Sequence, residues 1–401
     1  MERSILYLLG SYPRWSETFL RQDLTLLQQL GVPLLPVALQ EGDAEKQADW
    51  PAVQYLDPGQ AGSTGISAES AASPGKASRF ADRVAGWLPP GLRTQASLWK
   101  HGHWLRLLTE LVRESACRHL HAEFADIAAL MVATVARDLG LTYSLGVHAR
   151  DIHAPKFRLK ELIRGASFVT VCNAAALEQL QAACEISSDR VHLIYHGLIL
   201  KDWSFAPPGP VLNTPIRLLF VGRLVAKKGL NDLIRAIHRA KETGLACELT
   251  IVGSGPEEEG LRTMAKWLCV HELIHWHGVV PRERVRQELL QADCLVVPSV
   301  VSADGDRDGI PNVVVEAMAV GRPVIGTRVG GLGEALFDET AWLCEPGKPE
   351  TIFQRLREVH ADPQHAWEKC GEARRLVERS FDALVTARDR AELFRTMVSQ
   401  S

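Results

Sequence analysis

A chain of 401 residues with 46% hydrophobic content is too long for one ordinary core and long enough for two. Its formal net charge of −3 supplies no broad attraction for nucleic acid, which is therefore not an expected partner. Eight cysteines, at 117, 172, 184, 247, 269, 294, 344 and 370, form no CxxC pair and no zinc-like Cys/His grouping, a usage that fits a reducing cytosol. Those in apolar runs, such as Cys172 and Cys294, read as small hydrophobes. The opening "MERSILYLLGSYPRWSE" has too short an apolar run for a secretory signal, and no stretch reaches the ~18 apolar residues of a membrane span. A cytoplasmic protein is expected. Peripheral contact with the inner face of a membrane stays open, because Trp87, Trp99 and Trp104 stand beside Arg93, Lys100 and Arg106. Core or domain-interface positions are the commoner fate of such tryptophans.

Short apolar runs alternate with amphipathic helical patterns, the pattern of parallel sheets covered by helices. Strands are predicted at 4–9, 33–39, 119–124, 143–148, 167–171 and 190–195, with helices between them. The helix at 17–30 has Ser16 as a candidate N-cap and Gly31 just past its end. The segment from about 40 to 118 is the least regular, and "PGQAGSTGISAESAASPGKAS" within it reads as a flexible loop. "SFAPPGPVLNTP", 204–215, carries four prolines and reads as a linker. The pattern then restarts with "IRLLFV" as a strand, 229–242 as a helix, "ELTIV" as a strand and 256–267 as a helix. "LIHWH", "CLVVP" and "PVIGT" are further strands, and helices at 350–360, 364–378 and 383–398 close the chain. The expected organisation is α/β with a first Rossmann-like domain at 1–205, irregular over about 40–118, a second at 206–378, and a terminal helix at 379–401.

In open parallel sheets the ligand crevice lies beyond the carboxyl ends of the strands. Four such positions carry candidate chemistry. In "GRLVAKKGL", Arg223 follows Gly222 at a strand end and Lys228 lies immediately before a helix, so two cations and a helix N-terminus could meet a diphosphate; ordinary surface residues are the alternative. In "GTRVGGLGE", Gly330 and Gly331 would let backbone N–H groups approach an anion, or simply make a strand-to-helix turn. "VGSGPEEEG" has its third glycine two residues late for a dinucleotide fingerprint, which argues against a nicotinamide enzyme. In "DGIPNVVVEAMAVGRPV", Glu316 is the one charge between Ile310 and Gly321, and Asp308 lies eight positions before it, ahead of Pro311. A carboxylate so placed needs partners: a solvated edge, a nearby arginine, or the vicinal hydroxyls of a ribose or hexose. Asp304 and Asp306 add acids that could hold a metal or remain solvated. In "YSLGVHARDIH", His148 ends a strand and is followed by Arg150 and Asp151; it is either a donor aimed into the crevice or a structural histidine. Arg14, Ser16 and Glu17 surround the first helix start, where Glu17 could merely complement the helix dipole.

Together, "FVGRLVAKKGL", "IVGSGP", "HGVVP" and "DGIPNVVVEAMAVGRPVIGTRVGG" occur in the order and spacing of one family. The chain resembles the retaining GT-B glycosyltransferases of glycosyltransferase family 4 over nearly its whole length. "SYPRWSETF" and "HARDI" resemble the colanic-acid/exopolysaccharide biosynthesis subgroup. The resemblance implies two Rossmann-like doubly wound domains facing an interdomain cleft. It implies a nucleotide diphosphate sugar, UDP- or GDP-linked, as donor, a saccharide or lipid-linked acceptor, and no metal or other cofactor. Glu316 would then hold the donor ribose, Arg223 and Lys228 its diphosphate, and His148 the transferred sugar. Asp308 stands where the family usually has a glutamate facing that sugar. Gly222, Ile310, Pro311, Asn312, Gly330, Gly331 and Val279 would complete the donor site, with base contacts near "HGVVP" largely through backbone. Arg14, Ser16, Glu17, Arg150 and Asp151 would lie on the acceptor side. The implied closure on binding uses the 204–215 linker and the last helix as hinge. A sugar-nucleotide epimerase, a glycosyl phosphorylase, or a non-catalytic sugar-nucleotide binding subunit are the competing functions.

Overall fold

The computed structural model describes residues 4–14, 18–43, 51–56, 96–153, 157–207 and 214–400. The chain divides into two compact units. One comprises Met1–Cys172, Ala176–Ile194 and Leu384–Ser401; the other comprises Asn173–Ala175 and Tyr195–Ala383.

The first unit contains β1 (Ser4–Tyr12), α1 (Thr18–Gln29), β2 (Leu34–Glu41), β3 (Gln54–Tyr55), α2 (Gly102–Glu114), β4 (Cys117–Glu123), α3 (Ile127–Leu139), β5 (Thr142–Val147), α4 (Ala149–His153), α5 (Leu159–Gly165), β6 (Phe168–Val171), most of α6 (Ala174–Cys184) and β7 (Val191–Leu193). Its strands form one parallel sheet in the order β3-β2-β1-β4-β5-β6-β7. Residues 5–9 of β1 are buried on both faces, as a central parallel strand requires. Local chemistry sets the helix ends. Asp126 caps α3 by accepting the Ala128 amide at 2.9 Å, and Gly140, at φ 68°, ends it.

The second unit contains β8 (Ile216–Val221), α7 (Leu230–Glu242), β9 (Cys247–Val252), α8 (Glu258–Trp267), β10 (Ile274–Gly278), α9 (Arg282–Gln291), β11 (Cys294–Val297), α10 (Asn312–Val320), β12 (Val324–Thr327), β13 (Trp342–Cys344), α11 (Pro349–Ala361) and α12 (Pro363–Ser380). The sheet is parallel in the order β10-β9-β8-β11-β12-β13, the doubly wound Rossmann arrangement, with its reversal between β8 and β11. α7 buries Leu230, Leu233, Ile234, Ala236, Ile237 and Ala240, one face at helical spacing. α10 has no such solvent face: every residue from Val313 to Val320 is buried, Glu316 included.

The last helix, α13 (Ala383–Gln400), belongs from Leu384 onward to the first unit, where Ala391 and Phe394 join Tyr7, Leu9 and Phe168 in a core cluster. The division also falls elsewhere than at 205/206. Residues 195–207 lie with the second unit, because Trp203 is buried in its core and the Ala206 amide bonds the Val320 carbonyl at 3.1 Å. The proline-rich stretch is thus partly anchored to that unit, and its residues 208–213 lie outside those described.

β3, β13, α2 and α9 are additional to the predicted elements. α2 falls in the segment expected to be irregular, of which residues 44–50 and 57–95 lie outside the described set. Trp87 lies there too. Trp104 packs against the first unit's core, whereas Trp99 is 89% exposed, contrary to a core or interface position. Among the described residues no helix is long and apolar enough to cross a membrane.

Candidate active site

The carboxyl edge of β8 leads through Gly222 and Arg223 into a 3₁₀ turn, Ala226–Lys228, and then Gly229. Gly229 has φ 64°, and a Cβ there would stand 1.9 Å from the Pro298 carbonyl oxygen. Only glycine permits this approach. The turn therefore lies directly on the chain leaving β11, and the Val300 amide bonds the Lys227 carbonyl at 2.8 Å.

That contact brings lysines to acids. Lys228 Nζ donates to Asp308 Oδ2 at 2.8 Å, and Ser299 Oγ donates to the same oxygen at 2.6 Å. Lys227 Nζ lies 3.1 Å from Asp306 and 3.6 Å from Asp308 Oδ1. Burial pushes the Asp308 carboxyl up, but Lys228, Ser299 and Lys227 outweigh it and hold it below its ordinary range. Asp308 is thus an ionised, buried anchor for Lys228, whose stem lies across Gly222. Asp304 accepts from Ser302 Oγ at 2.6 Å, so the three acids are met by lysines and hydroxyls. Arg223 is exposed, and its side chain makes no hydrogen bond or ion pair among the described residues.

Glu316 faces a different partner. Its Oε1 accepts from Arg282 Nε at 3.1 Å, and Arg282 lies over the Trp203 ring at 5.3 Å. Its Oε2 accepts no hydrogen bond among the described residues. Burial pushes the Glu316 carboxyl above its ordinary range, and Arg282 offsets only part of that. The helix interior therefore holds a half-used carboxylate that further donors would stabilise.

Pro311 is the residue before α10, and Asn312 is its first residue. Ile310 packs against the neighbouring core, while Val279 is 56% exposed beyond β10. Gly330 and Gly331 serve packing: a Cβ at Gly330 would lie 2.1 Å from the Asp308 carbonyl oxygen, and one at Gly331 would lie 3.0 Å from the Gly309 carbonyl carbon. The Gly331 amide donates to the Asp308 carbonyl at 3.1 Å, so it is not presented to an anion. The pair locks the backbone that carries Asp308.

In the first unit, His148 follows β5. Its Nε2 lies 2.9 Å from Glu123 Oε1, its backbone amide donates to Asp151 Oδ2 at 3.0 Å, and its Nδ1 faces Cys172 Sγ at 3.8 Å. Asp151 thus holds the turn, and Arg150 and Arg14 are exposed. Ser16 and Glu17 lie outside the described residues. Sequence reasoning missed Lys227, Ser299, Arg282 and Glu123. For Arg282 a signal existed, since a cation in the first turn of a helix opposes the helix dipole and calls for a local acid.

Two parallel-sheet Rossmann-like domains in one chain define the GT-B fold. Solved structures share it. Anabaena HepE in complex with UDP matches with a TM-score of 0.69 at 16% identity, over 98% of this chain and 100% of that one. The sucrose-phosphate synthase of Thermosynechococcus elongatus matches with a TM-score of 0.72 at 18% identity over 100% of both. Identities this low speak for the fold alone. Residues 215–362, most of the second unit, match the family described as glycosyl transferases group 1. The chain is also similar to WcaL of Escherichia coli (strain K12), whose name provisionally assigns it to colanic acid biosynthesis as a glycosyltransferase. The two are 27% identical over 98% of this chain and 99% of WcaL. The amylovoran biosynthesis glycosyltransferase AmsK of Erwinia amylovora is 33% identical over 45% of each chain.

Proposed function

We propose that the protein is a glycosyltransferase of polysaccharide biosynthesis that moves a hexosyl unit from a nucleotide diphosphate sugar to a hydroxyl of a saccharide or lipid-linked acceptor, with retention at the anomeric carbon. The observation that carries this reading is the half-used carboxylate of Glu316, buried in α10 with Oε2 unbonded among the described residues. A ribose offers two adjacent hydroxyl donors to such a group. The match of residues 215–362 to glycosyl transferases group 1, the names of WcaL and AmsK, and the UDP bound by HepE support it.

Breaking the anomeric bond builds positive charge on the sugar ring and negative charge on the leaving diphosphate. In this reading Arg223 and Lys228 meet the latter, with Lys228 held ready by Asp308. His148 donates to the transferred sugar, and the leaving phosphate oxygen takes the acceptor proton on the face it departs from. No protein nucleophile and no metal is assigned, because the two cations supply the charge a metal would.

The test incubates the protein with a panel of UDP- and GDP-sugars, with and without acceptors, in the presence and absence of a chelator. The expected result is a glycosylated product with the donor's anomeric configuration plus released nucleoside diphosphate, unchanged by the chelator. An isomerised donor would instead make the protein an epimerase, and binding without turnover a binding subunit.

A further inference from the structure

β4 carries His119, His121 and Glu123 at alternate positions, so all three project from one face of the sheet, and all are buried. A hydrogen-bonded chain joins them. His119 Nδ1 lies 2.8 Å from Thr142 Oγ1 and its Nε2 2.7 Å from Ser144 Oγ; His121 Nδ1 lies 2.8 Å from Ser144 Oγ and its Nε2 3.2 Å from Glu123 Oε2.

The direction of every proton in this chain follows from its end. Burial pushes the Glu123 carboxyl up, yet Arg390, His121 and His148 overcome it and hold the group well below the usual range, so it accepts only. His121 must then donate through Nε2. Burial keeps its imidazole neutral, so Nδ1 accepts from the Ser144 hydroxyl. The Ser144 oxygen in turn accepts from Nε2 of His119, which burial lowers to a pKa of about 3, and Thr142 donates to His119 Nδ1.

Glu123 is also filled from other sides. Oε2 accepts from the Tyr7 hydroxyl at 2.5 Å and from Arg390 at 3.4 Å, and Arg390 is itself paired with Asp23 at 2.8 Å. Oε1 accepts from His148 Nε2 at 2.9 Å. A Cβ on Gly146 would stand 2.5 Å from Oε1, so the glycine in β5 makes the room in which this oxygen reaches His148. Within the first unit, the described groups packed on His148 include Glu123 from β4, Asp151 at its backbone amide, Cys172 after β6, and the rings of Phe19 and Phe124 at 5.5 and 4.3 Å.

We propose that Glu123 is the positioning residue of His148: by accepting the Nε2–H bond it fixes the ring and, together with Cys172 at Nδ1, favours the doubly protonated ring, so that His148 serves as a cationic donor. The proposal rests on the donor role assigned to His148 under the proposed function. The electrostatics agree, since burial lowers the His148 pKa but Cys172 and Glu123 raise it well above the ordinary histidine value.

Nitrogen-15 NMR of histidine-labelled protein, with the His148 signals assigned through His148→Gln, tests this without altering the network. At pH 7 the expected spectrum has both His148 nitrogens protonated, with His119 and His121 neutral and carrying their proton on Nε2. A neutral His148 in the wild-type protein overturns the positioning role. Glu123→Gln is expected to move the His148 titration to lower pH, with the contact to Cys172 still in place, and to lower kcat on the order of 10²-fold, with little change in donor KM. Tyr7→Phe removes a bond to the other oxygen and is expected to leave both the His148 signals and kcat near wild type, which separates positioning from general loosening. A His148 titration that moves to lower pH in Glu123→Gln while kcat stays unchanged overturns the assigned role of His148 in transfer, the reading beneath, and not its control by Glu123.

Discussion

Glu316→Gln is expected to weaken nucleoside diphosphate binding by roughly 10²-fold, the loss of charge-assisted bonds to two ribose hydroxyls worth about 1.5–3 kcal/mol each before partial replacement by the amide. Isothermal titration with UDP and GDP measures it. The fold should survive. Because burial raises the Glu316 carboxyl, the folded state favours its protonated form; stability falls as pH climbs through the carboxylate range, and the full penalty applies once Glu316 is ionised in the fold. Glutamine removes that penalty and still offers its amide oxygen to Arg282, losing only the charge assistance of that bond, while Arg282 remains over Trp203. The variant should therefore melt within a few degrees of wild type. Unchanged affinity would remove the ribose assignment.

Lys228→Met should harm both fold and turnover. Asp308 is buried, and its shortest cationic contact is Lys228 at 2.8 Å, with Lys227 farther away at 3.6 Å. Removing one partner of a buried pair typically destabilises by about 3–5 kcal/mol. Turnover should fall on the order of 10²–10³-fold if the lysine also meets the leaving diphosphate. The pH dependence has a definite sign. Asp308 is held below its ordinary range in the fold, so its contribution to stability is present above that range and disappears as pH falls through the folded pKa. With Lys228 removed that contribution shrinks, and the midpoint of acid unfolding followed by circular dichroism should move to higher pH. An unmoved midpoint would mean that the pair does not hold the loop.

Much of the fold was legible because parallel strands are buried on both faces and read as short apolar runs: "IRLLFV" is β8 residue for residue. The two-residue β3 and three-residue β13 are too short to carry a period. The domain crossing was misread for a different reason. Prolines mark where regular structure stops, whereas membership of a core is decided by distant partners, here the pocket that buries Trp203 and the Val320 carbonyl that binds Ala206. In the second unit, the singular charge of Glu316 inside an apolar helix was visible from patterning. Its pairing with Arg282 was not, because the two are separated by 34 positions and meet only through the packing of α9 on α10. Gly330 and Gly331 were noticed as glycines, but their reason lies in the backbone at 308–309 pressing on them. "HLHAE" in β4 did carry a signal, polar residues at period two in a strand otherwise buried, and the chain it forms with Ser144, His148 and Arg390 required the sheet register and the returning helix.

A crystal structure of the protein with UDP or GDP bound is the most direct measurement. The expected result places the ribose hydroxyls within hydrogen-bonding distance of the Glu316 carboxylate and the diphosphate oxygens on Arg223 and Lys228 beyond the carboxyl end of β8. A nucleotide bound elsewhere, or one that leaves Glu316 engaged with Arg282 alone, contradicts the assignment of this edge as the donor site.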